Sequence, residues 1–439
     1  MRRIDHRLGL VFLTGAFIAS LVAACDAGTA TPTRVNPSAA PSASASPAPS
    51  ATPSAAPSRT HNASGEFVAT GSMTMGRDSH TATLLPDGKV LIAGGEAYDE
   101  ARSAELYDPK TGTFAPTGSM VTGHVLGTAT LLLDGRVLFV GGWDLRNGSD
   151  WNPFDGSNRI VSASAELYDP KTGTFAPTGS PAQARYYHTA TRLLDGRVLI
   201  AGGALGANDN PDATATATAE IYDPVTGKFA PTGSMTTPRW CHSATLLRDG
   251  RVLMAGSWSD SSAELYDPVK GRFSRTESMK NTPNIHMATL LRDGRVLMTG
   301  WGDPGTLAEI YDPATGKFSP TGSMINSCNF IGPIGGLLSS APLLADGRVL
   351  VPDVIYDGSS GGGIGSAELY DPVTGTFTKG PPMSRYRSGF TETLLPDGRV
   401  LFTGNQRPVY PMGIAPPTDS ASLAAAIEAD RASAELYVP

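Results

Sequence analysis

The sequence predicts an all-β fold, a seven-bladed β-propeller, and three observations predict it. The tetrapeptide Asp-Gly-Arg/Lys-Val recurs seven times, starting at Asp87, Asp134, Asp195, Asp249, Asp293, Asp346 and Asp397. Alternating with it, Glu-Leu/Ile-Tyr starts at Glu105, Glu166, Glu220, Glu264, Glu309, Glu368 and Glu435. The seventh unit then stops at "SAELYVP", one strand short, while Gly65 to Met73, "GEFVATGSM", copies "GTFAPTGSM" at Gly112 to Met120. Self-similarity at a fixed period marks a repeat architecture, and a last strand supplied by the first segment closes the ring.

Each unit reads as four short strands, taking the first as the example: "TATLL" (A), "KVLIAGG" (B), "SAELY" (C) and "TFAPTG" (D). Asp-Gly between A and B predicts a two-residue type I′ hairpin, which needs positive φ at both positions. "DPKTG" between C and D predicts a type I turn closed by a left-handed glycine. Four antiparallel strands repeated seven times make a propeller with no open sheet edge, placed over residues 65–439.

Composition agrees with a β-rich chain: of 439 residues 17% are charged, with 50 Gly and 35 Pro. The net charge of -7 provides no basic face, so nucleic acid is excluded as a partner. Residues 1–24 carry Arg2, Arg3 and Arg7 ahead of an apolar run from Leu8 to Ala23, the layout of a secretory signal. The run ends in "VAAC", which resembles a bacterial lipobox, and that resemblance implies a diacylglyceryl thioether on Cys25. Residues 25–64 beyond it are rich in Ala, Ser and Pro and nearly without apolar bulk, so they predict a disordered tether. The expected location is the cell envelope, lipid-anchored to a membrane and outside the cytoplasm. A monomer is the expected state.

The Gly-Gly after strand B, the Tyr-Asp-Pro-x-Thr-Gly-x-Phe turn and the repeat spacing resemble kelch repeats. "YHTATRLLDGRVLIAGG" is also similar to the propeller of galactose oxidase and its copper-radical relatives. Kelch propellers serve as enzymes, adaptors and binding platforms, so the resemblance specifies fold more than function.

Chain direction sorts the loops. The A-to-B and C-to-D turns share one face and are nearly identical in every unit, as scaffold would be. The B-to-C and D-to-A connections share the other face and hold the irregular insertions: 143–160, 204–218, the "PDVIYDGSSGGGIG" stretch, and 405–431, where Ser420 is an N-cap candidate for a short helix. All five Trp fall there: Trp143, Trp151, Trp240, Trp258 and Trp301. Trp143, Trp258 and Trp301 share one register, which suits packing over a blade as well as ligand stacking. Trp151 and Phe154 break the pattern and are candidate exposed contacts. One-sided variation in a repeat protein marks a binding face.

The same face carries a periodic set of Arg and His. Seven residues before each hairpin Asp stand His80, Gly127, His188, His242, His286, Ser339 and Phe390, and three residues earlier Arg77, His124, Arg185, Arg239, Pro283, Gly336 and Arg387. Repetition points first to a scaffold device such as an interblade hydrogen bond. The functional reading is a polar, locally cationic channel mouth for an acidic or hydroxyl-rich ligand.

The galactose oxidase resemblance implies a Tyr cross-linked to a Cys, a second Tyr, two His ligands to copper and a Trp over the cross-link. Tyr187-His188, Cys241 and Trp258 match parts of this set. The match departs at the order of residues: Trp258 follows Cys241 in one unit, Tyr186 and Tyr187 lie in the preceding unit, and no domain follows the propeller to supply a second His. A Cys241–Cys328 disulfide is the alternative for the thiols. "NDNPD" at Asn208 and "DWNPFDG" at Asp150 hold oxygen ligands without EF-hand spacing. The expectation is therefore a propeller binding a glycan or protein through its loop-rich face, with no cofactor. The alternatives are a copper-radical oxidase or other carbohydrate-active propeller enzyme, and a passive envelope scaffold.

Overall fold

The computed structural model describes residues 65–95, 101–145, 159–206, 214–257, 260–280, 284–301, 307–325, 341–355, 363–387, 389–404, 429 and 431–439. All of these belong to the compact unit His61–Pro439. The Cys25 anchor, the tether, the helix candidate at 422–430 apart from residue 429, and the 208–212 and 150–156 stretches lie outside them. Among the described residues, no helix is long and apolar enough to cross a membrane.

Seven antiparallel sheets form the blades. The first contains Thr81–Leu84, Val90–Ala93, Ala104–Asp108 and Thr113–Pro116, strands A to D as read from the repeat. Strand A neighbours strand A of the next blade from blade 1 to blade 5, and the first touches Thr391–Leu394 of the seventh, which closes the ring. The closing strand is N-terminal: Glu66–Ala69 pairs antiparallel with Ala434–Val438, Glu66 opposite Val438 and Ala69 opposite Glu435. Blade 6 is the irregular one. Among the described residues its sheet has three strands, Val349–Ile355, Gly363–Asp371 and Thr376–Arg387, and its innermost segment is joined by a Leu343–Val349 bridge.

Strand B lies between two neighbouring blades, so both of its faces are covered. That is why it reads "VLIA" without polar alternation, and why Val90 to Ala93 are all buried. Each such aliphatic side chain contributes roughly 1.5–3 kcal/mol. Neighbouring blades are also stitched by a repeated polar contact. The Tyr of strand C meets the Thr that ends strand D of the preceding blade, as in Tyr107–Thr70 at 2.8 Å, Tyr168–Thr117 at 2.9 Å and Tyr370–Thr321 at 2.7 Å. Each Thr donates to a glycine carbonyl, so the tyrosine hydroxyl donates to it.

The A-to-B turn corrects one expectation. Gly88 has φ of 86° but Asp87 is not left-handed, so the turn is not type I′. Gly88 N–H donates to Leu85 O at 3.0 Å and Leu85 N–H donates to Lys89 O at 2.8 Å. The loop is thus three residues, Pro86-Asp87-Gly88, a tight turn followed by a left-handed glycine. Proline at 86 and 396 suits the fixed φ of the first turn position. The C-to-D turn ends in a left-handed glycine as expected, with Gly112 at φ 69°.

Candidate functional site

On the loop-rich face, the Arg and His columns are built into the walls of the blades. Arg77, Arg185, Arg239 and Arg387 are fully buried. Arg77 Nη1 donates to Gly94 O (2.9 Å) and Ser103 O (3.0 Å), and Nη2 to Glu105 Oε1 (3.0 Å). Arg185, Arg239 and Arg387 repeat this on Gly202, Gly256 and Gly404 and pair with Glu220, Glu264 and Glu435 at 3.1, 3.3 and 3.5 Å. In blade 2 the smaller His124 serves instead, with Nδ1 to Gly141 O at 2.7 Å and Nε2 to Glu166 at 3.3 Å. The Glu of every Glu-Leu/Ile-Tyr repeat accepts from the loop amide entering its blade, as Glu105 does from Thr74 N–H at 2.7 Å. Each clamp therefore ties strand B, strand C and the entry loop together.

His80, His188 and His242 form the second column, all buried. Each shares a hydrogen bond from Nε2 with a threonine of the preceding blade: Thr403 and Thr391 for His80 (both 3.0 Å), Thr128 for His188 (3.0 Å) and Thr189 for His242 (2.9 Å). Burial, reinforced by Arg77 and Arg239, pulls His80 and His242 down to about 3, and His188 is likewise held far below its ordinary range. These imidazoles are neutral at pH 7. With the arginines matched by glutamates, the expected cationic channel mouth is not found at these residues. The Gly-Gly pair explains the close fit: a Cβ on Gly202 would lie 2.7 Å from His242 Cε1, and one on Gly203 2.6 Å from Tyr186 O.

Just before the His column runs a belt of backbone bonds. Ser79, Leu126, Tyr187 and Cys241 have φ of 53°, 57°, 54° and 50° although none is glycine. This conformation turns N–H groups toward the preceding blade: Ser79 to Gly389 O (2.9 Å), Tyr187 to Leu126 O (3.2 Å) and Cys241 to Tyr187 O (3.2 Å). A left-handed non-glycine residue costs on the order of 1 kcal/mol, and the repeated interblade bond offsets it.

Above the belt lies a small aromatic core. Trp143 packs on Tyr186 (centroids 4.8 Å apart), Tyr186 on Tyr187 (5.1 Å) and Tyr187 on Trp240 (5.5 Å). All four rings are buried, with Val125, Leu126 and Ala204 around them. Trp143 and Trp240 are thus packing residues, because they stack on tyrosines of the neighbouring blade and are buried. The backbones of His286 and Trp301 lie in the blade 5 strands Asn284–Leu290 and Val296–Trp301. Trp151, Phe154, Trp258 and Cys328 lie outside the described residues.

Among the described residues the copper set implied by the resemblance is not assembled. Tyr187 and Cys241 are neighbours, yet His188 and His242 commit Nε2 to threonines. No group of three or more His, Cys, Asp or Glu among the described residues could hold a metal ion.

One residue escaped the sequence reading. Two positions past the His column, six blades carry Ala82, Ala129, Ala190, Ala244, Ala288 and Ala341, and blade 7 carries Glu392. Burial holds its carboxyl far above the ordinary carboxylate range, with no opposing charge. A single acidic residue in a column of alanines was the signal available.

No protein-family model matches the chain, and no curated protein matches it. Among solved structures it is similar to a fungal alcohol oxidase of the AA5 family, described in complex with copper. The TM-score is 0.60 at 16% identity, over 85% of this chain and 76% of that one. The likeness is one of fold, and it agrees with the propeller resemblance read from the sequence.

Proposed function

We propose that the chain is a lipid-anchored, stalked, kelch-type propeller of the cell envelope that binds an extracellular glycan or protein through its loop-rich face. One observation carries this reading: the insertions that break the repeat gather on that face, while the opposite face repeats one pair of tight turns. The repeated Arg, His and Glu serve the scaffold, which leaves recognition to the inserted loops. Trp151, Phe154, Trp258 and Trp301 are the aromatic candidates there. Such rings stack on sugar or peptide surfaces with little entropy lost. Binding of the purified full-length protein to a glycan array and to envelope extracts tests this. Alanine at Trp151 and Phe154 should weaken binding about tenfold or more; unchanged binding in both would count against the loop face.

A second reading, oxidation of a carbohydrate alcohol, is favoured by the adjacency of Tyr187 and Cys241 on the belt. Its metal ligands would have to come from outside the described residues.

A further inference from the structure

The turn face repeats its backbone from blade to blade but not its side chains. The A-to-B and C-to-D turns share this face: Arg251 Nη2 donates to Pro313 O in the next blade's C-to-D turn (3.4 Å), and Arg399 Nη2 to Pro109 O (2.9 Å). At its tips stand the most exposed large aliphatic side chains among the described residues. Val225, Val269 and Val373, each third in an Asp-Pro-x turn, are 91–94% exposed, and Leu133 and Leu194 on the hairpins 67–68%. The large aliphatic side chains described on the loop face reach 52% at most.

The turn does not select these valines. The Val225 amide donates to Asp223 Oδ1 at 2.9 Å, and the Lys110 amide of blade 1 donates to Asp108 Oδ1 at the same distance. Lysine therefore serves the turn as well as valine does, and a valine side chain left in water contributes nothing to the fold. In chain order the tips read Lys110, Lys171, Val225, Val269, Ala314 and Val373, two cations followed by an aliphatic arc. The hairpin carboxylates on the same face are matched by arginines, as Asp195 is by Arg197 at 2.7 Å.

Strand Glu66–Ala69 starts at this face, with Glu66 opposite Val438 at the end of strand C. The chain leading back to Cys25 therefore joins the propeller here, forty residues from that cysteine. We propose that the turn face is a membrane-contacting surface: Val225, Val269 and Val373 enter the headgroup region of a bilayer, and Lys110 and Lys171 meet lipid phosphates. This rests on the lipid-anchor reading for what brings the bilayer near, and it sets the loop face pointing away from the lipid.

A protein partner needs a continuous apolar core, whereas these tips stand apart, each flanked by Asp and by Thr or Lys. Lipids rearrange singly around a protruding side chain, and the contact strengthens with buried apolar area and with attraction of cations to anionic headgroups. Each tip alone is weak. An anchor on the same chain makes the contact intramolecular, so several weak tips act together.

Hydrogen exchange of the full-length protein in vesicles of phosphatidylglycerol and phosphatidylcholine tests this, with the protein in nonionic detergent as reference. The amides of 110–112 and 171–173 should exchange about threefold or more slower in vesicles, and those of the loop face at equal rates. The triple variant Val225→Asp, Val269→Asp, Val373→Asp keeps the turns, since Lys110 shows that a charged side chain is accommodated there. It should lose the protection at 110–112 and 171–173 while staying on the vesicles. Equal exchange in vesicles and detergent, or equal protection in the triple variant, overturns the inference. Protection that is present in detergent and fades on dilution overturns it in favour of a second copy of this chain. Intact mass reads the anchor separately. An acylated chain with unprotected turns refutes the turn face alone, and an unacylated chain whose turns are protected by added vesicles refutes the anchor and upholds the turn face.

Discussion

Replacing Arg185 by alanine separates a structural clamp from a ligand contact. The guanidinium is fully buried and donates to Gly202 O (2.7 Å), Thr218 O (3.2 Å), Thr218 Oγ1 (3.2 Å), Gln183 Oε1 (3.4 Å) and Glu220 Oε1 (3.1 Å). Burial pulls Arg185 below its ordinary range and Glu220 opposes that shift, so it remains a cation held by its partner. Truncation leaves Glu220 buried with the Ala182 amide (2.8 Å) as its remaining donor at this clamp. Breaking a buried pair this way costs about 3–5 kcal/mol. Arg185→His should lose less, because His124 already spans a glycine carbonyl and a glutamate in blade 2. Urea unfolding followed by circular dichroism, with the midpoint and slope compared, reads the loss. A cost below about 1 kcal/mol for Arg185→Ala, or loss of ligand binding at unchanged stability, would refute the clamp and restore a surface role.

The buried histidines make stability pH-dependent. Their folded values, about 3 for His80 and His242, lie below the unfolded value of 6.5, so the unfolded chain binds more protons and stability should fall as pH drops from 6.5 toward 3. A urea midpoint equal at pH 7 and pH 5 would contradict that, after the carboxylate contribution is subtracted using His80→Gln and His242→Gln. Glu392 has the opposite sign: its folded value is raised above the ordinary 4.5, so above that pH the unfolded chain ionises it and the fold is penalised. Glu392→Gln should therefore stabilise the protein at pH 7, by about 1–3 kcal/mol, and much less at pH 4; a pH-independent difference would point to packing alone. Gly65 has φ of 68°, and a Cβ there would lie 2.5 Å from Tyr437 Oη. Gly65→Ala should strain the closing strand and speed proteolysis near residue 65, and unchanged cleavage would argue that the closing strand tolerates a side chain there.

Much of the fold is legible in the sequence because each blade repeats the same local chemistry. Asp-Gly and Asp-Pro mark every turn, and the orphan "GEFVATGSM" matches the strand that blade 7 lacks. The turn type was misread because the residue before Asp, Pro86 in blade 1, belongs to the loop, which only the Leu85–Lys89 pairing reveals. The Arg and His columns were visible as periodicity, but their partners are not neighbours in sequence. Arg77 finds Glu105, and His80 finds Thr403 across the closed ring. For Trp143 the sequence suits packing and ligand stacking alike, because it does not show that Tyr186 and Tyr187 rise between Trp143 and Trp240. Glu392 was in plain view among alanines, and its meaning depended on learning that its carboxyl is buried without a hydrogen-bond partner.

The central claim is that this ring presents a face for binding and does not house a redox centre. Copper content of the purified full-length protein, measured after loading and exhaustive dialysis and paired with radical spectroscopy and peptide mapping, tests it most directly. The account predicts substoichiometric copper and no tyrosyl radical. One tightly held copper per chain, with a peptide joining Cys241 to Tyr187, would contradict it.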